Sequence, residues 1–188
     1  MNQDIMDHQH YVHCVISLWN MYKETDDCNA NIYFDKIIEQ ILTGLKTHYF
    51  KLNIDELSFS YLYLRKMNIA NTHEVVTLLL LQILQLSKIP SSNILLSTLS
   101  RIIVAINTGN DFHIPSVCST FIPYLENHLN QCDINGENLR QMAICFLYIN
   151  PLIQKDLLNK FKEKTKHYLN MSKEFNPKVL LKLLHVYN

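Results

Sequence analysis

Residues 71–109 read NTHEVVTLLLLQILQLSKIPSSNILLSTLSRIIVAINTG, and the punctuation of this stretch sets the fold class. Asn71 followed three positions later by Glu74 has the form of a capping box, in which two side chains at a helix start satisfy exposed backbone N–H groups. The apolar run behind it extends to about Lys88. Pro90 then ends it, because proline offers no N–H and disfavours a helical residue before it. Ser92 or Asn93 is placed to cap a second helix running through Ile106, which Asn107, Thr108 and Gly109 close. The stretch therefore predicts two helices joined by a short loop.

The same grammar recurs on both sides. Upstream, residues 5–22 carry Met6, His10, Cys14, Leu18 and Tyr22 on one stripe with Trp19 close by. Residues 32–48 place Phe34, Ile37, Ile38, Ile41, Leu42 and Leu45 at helical spacing, and Asn53 is positioned to open a third run over residues 55–67. Downstream, Pro115 suits the first turn of a helix reaching about Gln131. Asn135-Gly136 marks a turn ahead of a helix over residues 137–149. Pro151 starts another helix that ends near Asn170, and Pro177 opens a last run over residues 179–186.

Nine helices result. Those beginning near 54, 93 and 137 lie about 40 residues apart, as do those near 72, 114 and 152, which is the spacing of HEAT-like stacks of helical hairpins. An irregular helical bundle is the other arrangement with this count. The expectation is an all-α, α-solenoid-like chain in which residues 1–188 form one helical-repeat domain. Residues 1–50 would hold its N-terminal helices, 51–170 the repeat core and 171–188 a C-terminal helix.

Composition narrows the function classes. Only Gly44, Gly109 and Gly136 are present, so the clustered glycines of dinucleotide-binding and phosphate-cradling loops are missing. Hydrophobic residues make up 48% of the chain and charged residues 18%, enough for a continuous core and little for an all-round solvated surface. No apolar run reaches about 18 residues, so no membrane span is expected. Cys14, Cys28, Cys118, Cys132 and Cys145 are odd in number with no CxxC spacing, which fits reduced intracellular thiols better than a disulfide framework.

Candidate chemistry is sparse. His8, His10, His13 and Cys14 group potential metal ligands, yet only two share a helix face and no second pair follows at finger spacing, so no metal is expected. Cys118, Cys132 and Cys145 sit within apolar helical patterns as small buried thiols, and only a spatial meeting with His113 or His128 would make one a nucleophile. No nucleophile, base and orienter group together. The chain is read as non-enzymatic, with no cofactor and no small-molecule substrate.

Charge is where the sequence carries information. The net charge is zero, but residues 151–188 hold eight lysines against three acids, a net of +5, leaving residues 1–150 at −5. A basic end of this kind attracts an anion. The candidates are Lys155, Lys160, Lys162, Lys164 and Lys166, with Phe161 and Tyr168 positioned either to stack on unpaired bases or, seven residues apart, to face the core together. Arg65, Arg101 and Arg140 are spaced 36 and 39 residues apart, close to the repeat length, and would line one edge if the units stack, meeting phosphates or acidic side chains. Unrelated side chains lying over apolar surface are the alternative for these three.

One segment is more specific. Residues 96–132 read LSTLSRIIVAINTGNDFHIPSVCSTFIPYLENHLNQC and residues 138–151 read NLRQMAICFLYINP. Leu99-Ser100-Arg101, the Asn107-Thr108 turn before Asp111-Phe112, Pro115 with Cys118, Leu125-Glu126, Cys132, Leu139-Arg140 and Cys145 recur in the order seen in the FAST-kinase-domain (FASTK) family. This middle third of the chain resembles the helical region that precedes that family's FAST and RAP modules, for which no counterpart is found here. The resemblance implies a role in RNA binding, processing or stability in mitochondria, although no presequence is visible, and a chain truncated relative to the family. It supplies no catalytic residues. Single-stranded RNA is the expected partner, and a protein–protein scaffold with no nucleic-acid role is the alternative.

Overall fold

A computed structural model gives the fold of residues 6–24, 30–89, 93–109, 115–131, 135–149, 152, 155–171 and 176–187, with backbone only for 30–34 and 115. Among these residues the protein is all-α, with no strand. Ten α-helices follow in order: α1 (His8–Tyr22), α2 (Ala30–His48), α3 (Ile54–Lys66), α4 (Glu74–Ser87), α5 (Leu96–Ile106), α6 (Pro115–Ser119), α7 (Ile122–Gln131), α8 (Gly136–Ile149), α9 (Lys155–Met171) and α10 (Pro177–Tyr187), with a short 3-10 helix over Tyr49–Lys51 after α2. They group into two compact units, one of Met1–Asn93 with Thr108–Asp111, the other of Ile94–Asn107 with Phe112–Asn188.

Within the first unit α1 packs on α3, and α2 packs on both α1 and α4, so first and second helices of successive hairpins form two layers. The second unit repeats the plan: α5, α8 and α10 lie side by side, and α7 packs against α5, α8 and α9 from the other layer. This layering is solenoid-like, and the starts of α3, α5 and α8 keep the spacing of about 40 residues.

Local chemistry explains most boundaries. Asn53 and Glu56 form a reciprocal capping box at α3, with Asn53 Oδ1 accepting from the N–H groups of Asp55 and Glu56 at 2.9 and 3.0 Å. The end of α3 is a Schellman turn: Ile69 N–H reaches Leu64 O at 3.1 Å, Asn68 N–H reaches Arg65 O at 3.0 Å, and Asn68 takes a left-handed φ of 62°. Asn135 accepts from the Asn138 N–H at 2.8 Å ahead of α8, and Asn176 from the Lys178 N–H at 2.9 Å ahead of α10.

The helix expected over residues 115–131 is two, because Pro123 has no N–H for the carbonyl of Ser119, where α6 stops. A tight turn joins the pieces, with Thr120 N–H bonding Val117 O and Phe121 N–H bonding Cys118 O. The α4 cap is His73, not Asn71: Asn71 Oδ1 accepts from the Tyr61 hydroxyl at 2.8 Å instead. Helix α5 starts at Leu96 with no side-chain cap, so Asn93 lies outside it; Ser92 and Pro151 fall outside the described residues.

On α1 the buried stripe is Tyr11, Val12, Val15 and Leu18, leaving His10 exposed, and Ile37 of α2 is also exposed. The first unit's core centres on Val15, Leu45, Leu57, Tyr61, Val76, Leu79 and Ile83, all without solvent contact. That of the second is built from Leu99, Ile102, Ile103, Phe121, Leu125, Phe146 and Phe161. Phe146 and Phe161 stack with centroids 4.3 Å apart, a pairing worth about 0.5–1.5 kcal/mol beyond the area it buries.

Candidate nucleic-acid interface

The lysine run of α9 does not form one surface. Leu157, Phe161 and Thr165 face the core, and the lysines diverge on either side of them. Lys160 and Lys164 line a groove towards α7 together with Glu126, Asp156 and Glu163, and Lys160 Nζ lies 3.8 Å from Glu126. Three carboxylates therefore offset the positive charge of that groove.

The other flank is different. Lys162 and Lys166 line a groove between α9 and α10 with Thr165, Leu169, Asn170 and Tyr187, and no carboxylate is among these residues. Lys155 lies seven and eleven positions earlier, which places it on the same line of an α-helix. All three lysines are exposed. Tyr187 closes the groove: its hydroxyl donates to Thr165 Oγ1 at 2.8 Å, its ring is 6.1 Å from that of Phe161, and the Lys162 ammonium sits 5.6 Å from its centroid. Burial raises the phenol's pKa above the ordinary tyrosine value, so the ring stays neutral and can present a π-face.

Phe161 faces the core, fully buried and stacked on Phe146. Tyr168 is half-buried, with its hydroxyl against Gly136. Tyr187, rather than either of these two rings, lines the α9–α10 groove. Its signal in the sequence was weak, because it lies at the C-terminal end of a run whose apolar periodicity closes at Val186.

The arginines do not share one role. Arg65 is a correction: it is 1% exposed, with Nη1 donating to Ile69 O at 2.7 Å and Nη2 to Thr108 O, so it does not meet a phosphate. Arg101 is half-buried and donates to Thr98 Oγ1 at 3.0 Å. Arg140 grips Glu137 through Nε at 3.0 Å and Nη2 at 2.7 Å. That hydrogen bond lowers the Glu137 pKa and raises that of Arg140.

Elsewhere the polar groups have structural uses. Asp7 accepts from the N–H groups of Gln9 and His10, and the His10 ring returns to the Asp7 N–H at 3.3 Å, so His10 belongs to a capping box. Among the described residues no group of three metal-ligating side chains comes together. Cys118 and Cys145 are buried, which raises both thiols above their ordinary pKa, and the Asn107 amide lies 3.6 Å from Cys118 Sγ. His128 Nε2 donates to Ile94 O at 2.6 Å; His113 and Cys132 lie outside the described residues. Among the described residues no helix is long and apolar enough to cross a membrane.

Fold and surface together define a class, an all-α helical-repeat protein whose α9–α10 groove, among the described residues, is lined by two lysines and no carboxylate. Comparison with family models, curated proteins and solved structures finds no match.

Proposed function

We propose that the chain is a non-catalytic helical-repeat module that binds single-stranded RNA through the α9–α10 groove. The observation that carries this reading is the contrast between the two flanks of α9. One mixes two lysines with three carboxylates; the other lines up Lys162 and Lys166 beside the Tyr187 ring with none. Lys162 and Lys166 are about 6 Å apart along the helix axis, a reach that lets two ammonium groups follow one phosphate backbone while the ring meets a base. A role in mitochondrial RNA processing or stability rests on the resemblance of residues 96–151 to the FASTK helical region.

The test is fluorescence anisotropy of a labelled single-stranded RNA with two variants of equal charge change. Lys162→Gln/Lys166→Gln is expected to weaken binding by tenfold or more, and Lys160→Gln/Lys164→Gln by less than threefold, on the order of the charge-contact energies of such interfaces. Equal losses would mean that bulk charge, not the groove, attracts the RNA.

One observation favours a second reading, a protein scaffold. Leu181 and Leu184 on α10 are 53% and 59% exposed, and α10 carries Lys178, Lys182 and His185 with no acidic residue. Such a face suits an acidic amphipathic helix. No RNA binding at low salt, together with binding of an acidic leucine-containing helical peptide that Leu181→Ser/Leu184→Ser abolishes, would replace the first reading with this one.

A further inference from the structure

The first unit holds a second surface, assembled where α1 crosses α3. Trp19 is the one tryptophan of the chain. Its ring lies 6.1 Å from Tyr22 and 6.3 Å from Tyr63, each pair inclined by 28°, and Phe59 continues the row 6.3 Å beyond Tyr63 at 10°. All four rings are half-buried, so each keeps part of its surface in solvent. Core aromatic residues of this protein behave differently: Tyr61, Phe121, Phe146 and Phe161 have no exposure at all.

Two cations border the row. The Lys66 ammonium sits 5.4 Å from the Trp19 centroid and 5.3 Å from that of Tyr63. Lys23 projects from the end of α1 with its Nζ donating to Asn20 Oδ1 at 3.1 Å. Among the described residues neither lysine is paired with a carboxylate. Burial, and secondarily the charge of Lys23, lowers the pKa of Lys66, and the negative charge of an anion held here would counter the repulsion between the two ammonium groups.

From the aromatic row and its two ammonium groups, we infer that α1 and α3 form a stacking site for an unpaired base and its phosphate, that is, for a single-stranded nucleic-acid segment. The chemistry selects this ligand over other anions. An acidic peptide or free phosphate would use the ammonium groups and leave the ring faces idle, whereas a nucleotide uses both. The inference goes beyond the α9–α10 groove and does not depend on it, because its residues all belong to the first unit.

Because Trp19 is unique, its emission reports this site alone. The full chain is titrated at low salt with an oligouridine of about ten nucleotides, an abasic ribose-phosphate oligomer of equal length and polyglutamate. Oligouridine is expected to quench Trp19 saturably, and the other two to leave its emission unchanged. Tyr63→Leu, which keeps apolar bulk, is expected to weaken the quenching isotherm about tenfold, as loss of one stacked ring does. Lys66→Gln, which leaves all four rings in place, is expected to weaken it severalfold while preserving its amplitude.

Equal quenching by the abasic oligomer would overturn the inference, since stacking would then play no part. RNA binding seen by anisotropy with no change in Trp19 emission would also overturn it, while leaving the groove reading intact. Quenching that persists in Lys162→Gln/Lys166→Gln supports the α1–α3 site whatever becomes of the groove.

Discussion

At Arg65 a permanent charge is held 1% exposed by two backbone carbonyls, those of Ile69 just past the end of α3 and Thr108 far along the chain. Gly109 follows Thr108 with φ of 90°, a conformation that L side chains rarely adopt, and a Cβ there would meet Arg65 Nη2 at 2.8 Å. Arg65→Met keeps length but strands both carbonyls, and is expected to cost about 2–4 kcal/mol in urea unfolding, as loss of a buried charged hydrogen-bond donor does. A cost below about 1 kcal/mol would mean that the guanidinium is not structural. The sequence placed Arg65 in a series with Arg101 and Arg140 by spacing; its burial depends on Thr108, 43 positions away, which spacing along one helix does not encode.

Thiol chemistry is a second residue-scale test. Burial raises the pKa of Cys118 and Cys145, so at pH 8 each holds less reactive thiolate than a free cysteine. Alkylation of the native chain with iodoacetamide is expected to spare both until denaturant is added, as read by peptide mass mapping. At pH 9 both should still react more slowly than a free cysteine, because burial raises their pKa above the ordinary thiol value. Rapid native labelling of Cys145 would contradict the packing of α8.

Among the elements, α1 and α2 meet at Gly44, where an added Cβ would fall 2.0–2.2 Å from ring atoms of Tyr11. That ring stacks on His48 at 5.5 Å and is fixed between the helices. Helix propensity alone would reward Gly44→Ala by about 1 kcal/mol, but the overlap reverses the sign, and a net loss of about 1–3 kcal/mol is expected. Adding Tyr11→Leu should make the alanine stabilising relative to Tyr11→Leu alone. If Gly44→Ala by itself raises stability, the two helices are not this close.

Element identity was largely legible because its signals are local. Asn53, Pro115, Asn135 and Pro177 each mark a helix start through backbone chemistry within three residues. Where a tertiary contact competes, the local reading gives way. Asn71 is drawn to the Tyr61 hydroxyl and His73 caps α4 in its place. The division of the α9 lysines was equally hidden, since it is α7 with Glu126 and α10 with Tyr187 that make the two flanks unlike. The Trp19 row shows both cases: Phe59 and Tyr63, or Trp19 and Tyr22, are visible as helical neighbours, but their joining needs α1 against α3.

For the whole molecule, a net charge of zero conceals a chain whose last 38 residues carry +5 and whose remainder carries −5. If the α9–α10 groove holds RNA as proposed, its lysines, which have no carboxylate beside them in the groove lining, carry the phosphate contacts, and the number of those contacts can be measured. Each ammonium engaged with single-stranded RNA contributes about −0.7 to the slope of log K against log salt. The decisive measurement is that slope for the wild-type chain beside Lys162→Gln/Lys166→Gln and Lys160→Gln/Lys164→Gln. RNA held by the Lys162–Lys166 groove gives a shallower slope, by about 1.4, for the first variant and a nearly unchanged slope for the second. Slopes identical in all three proteins, or equally reduced in both variants, would contradict binding in the groove.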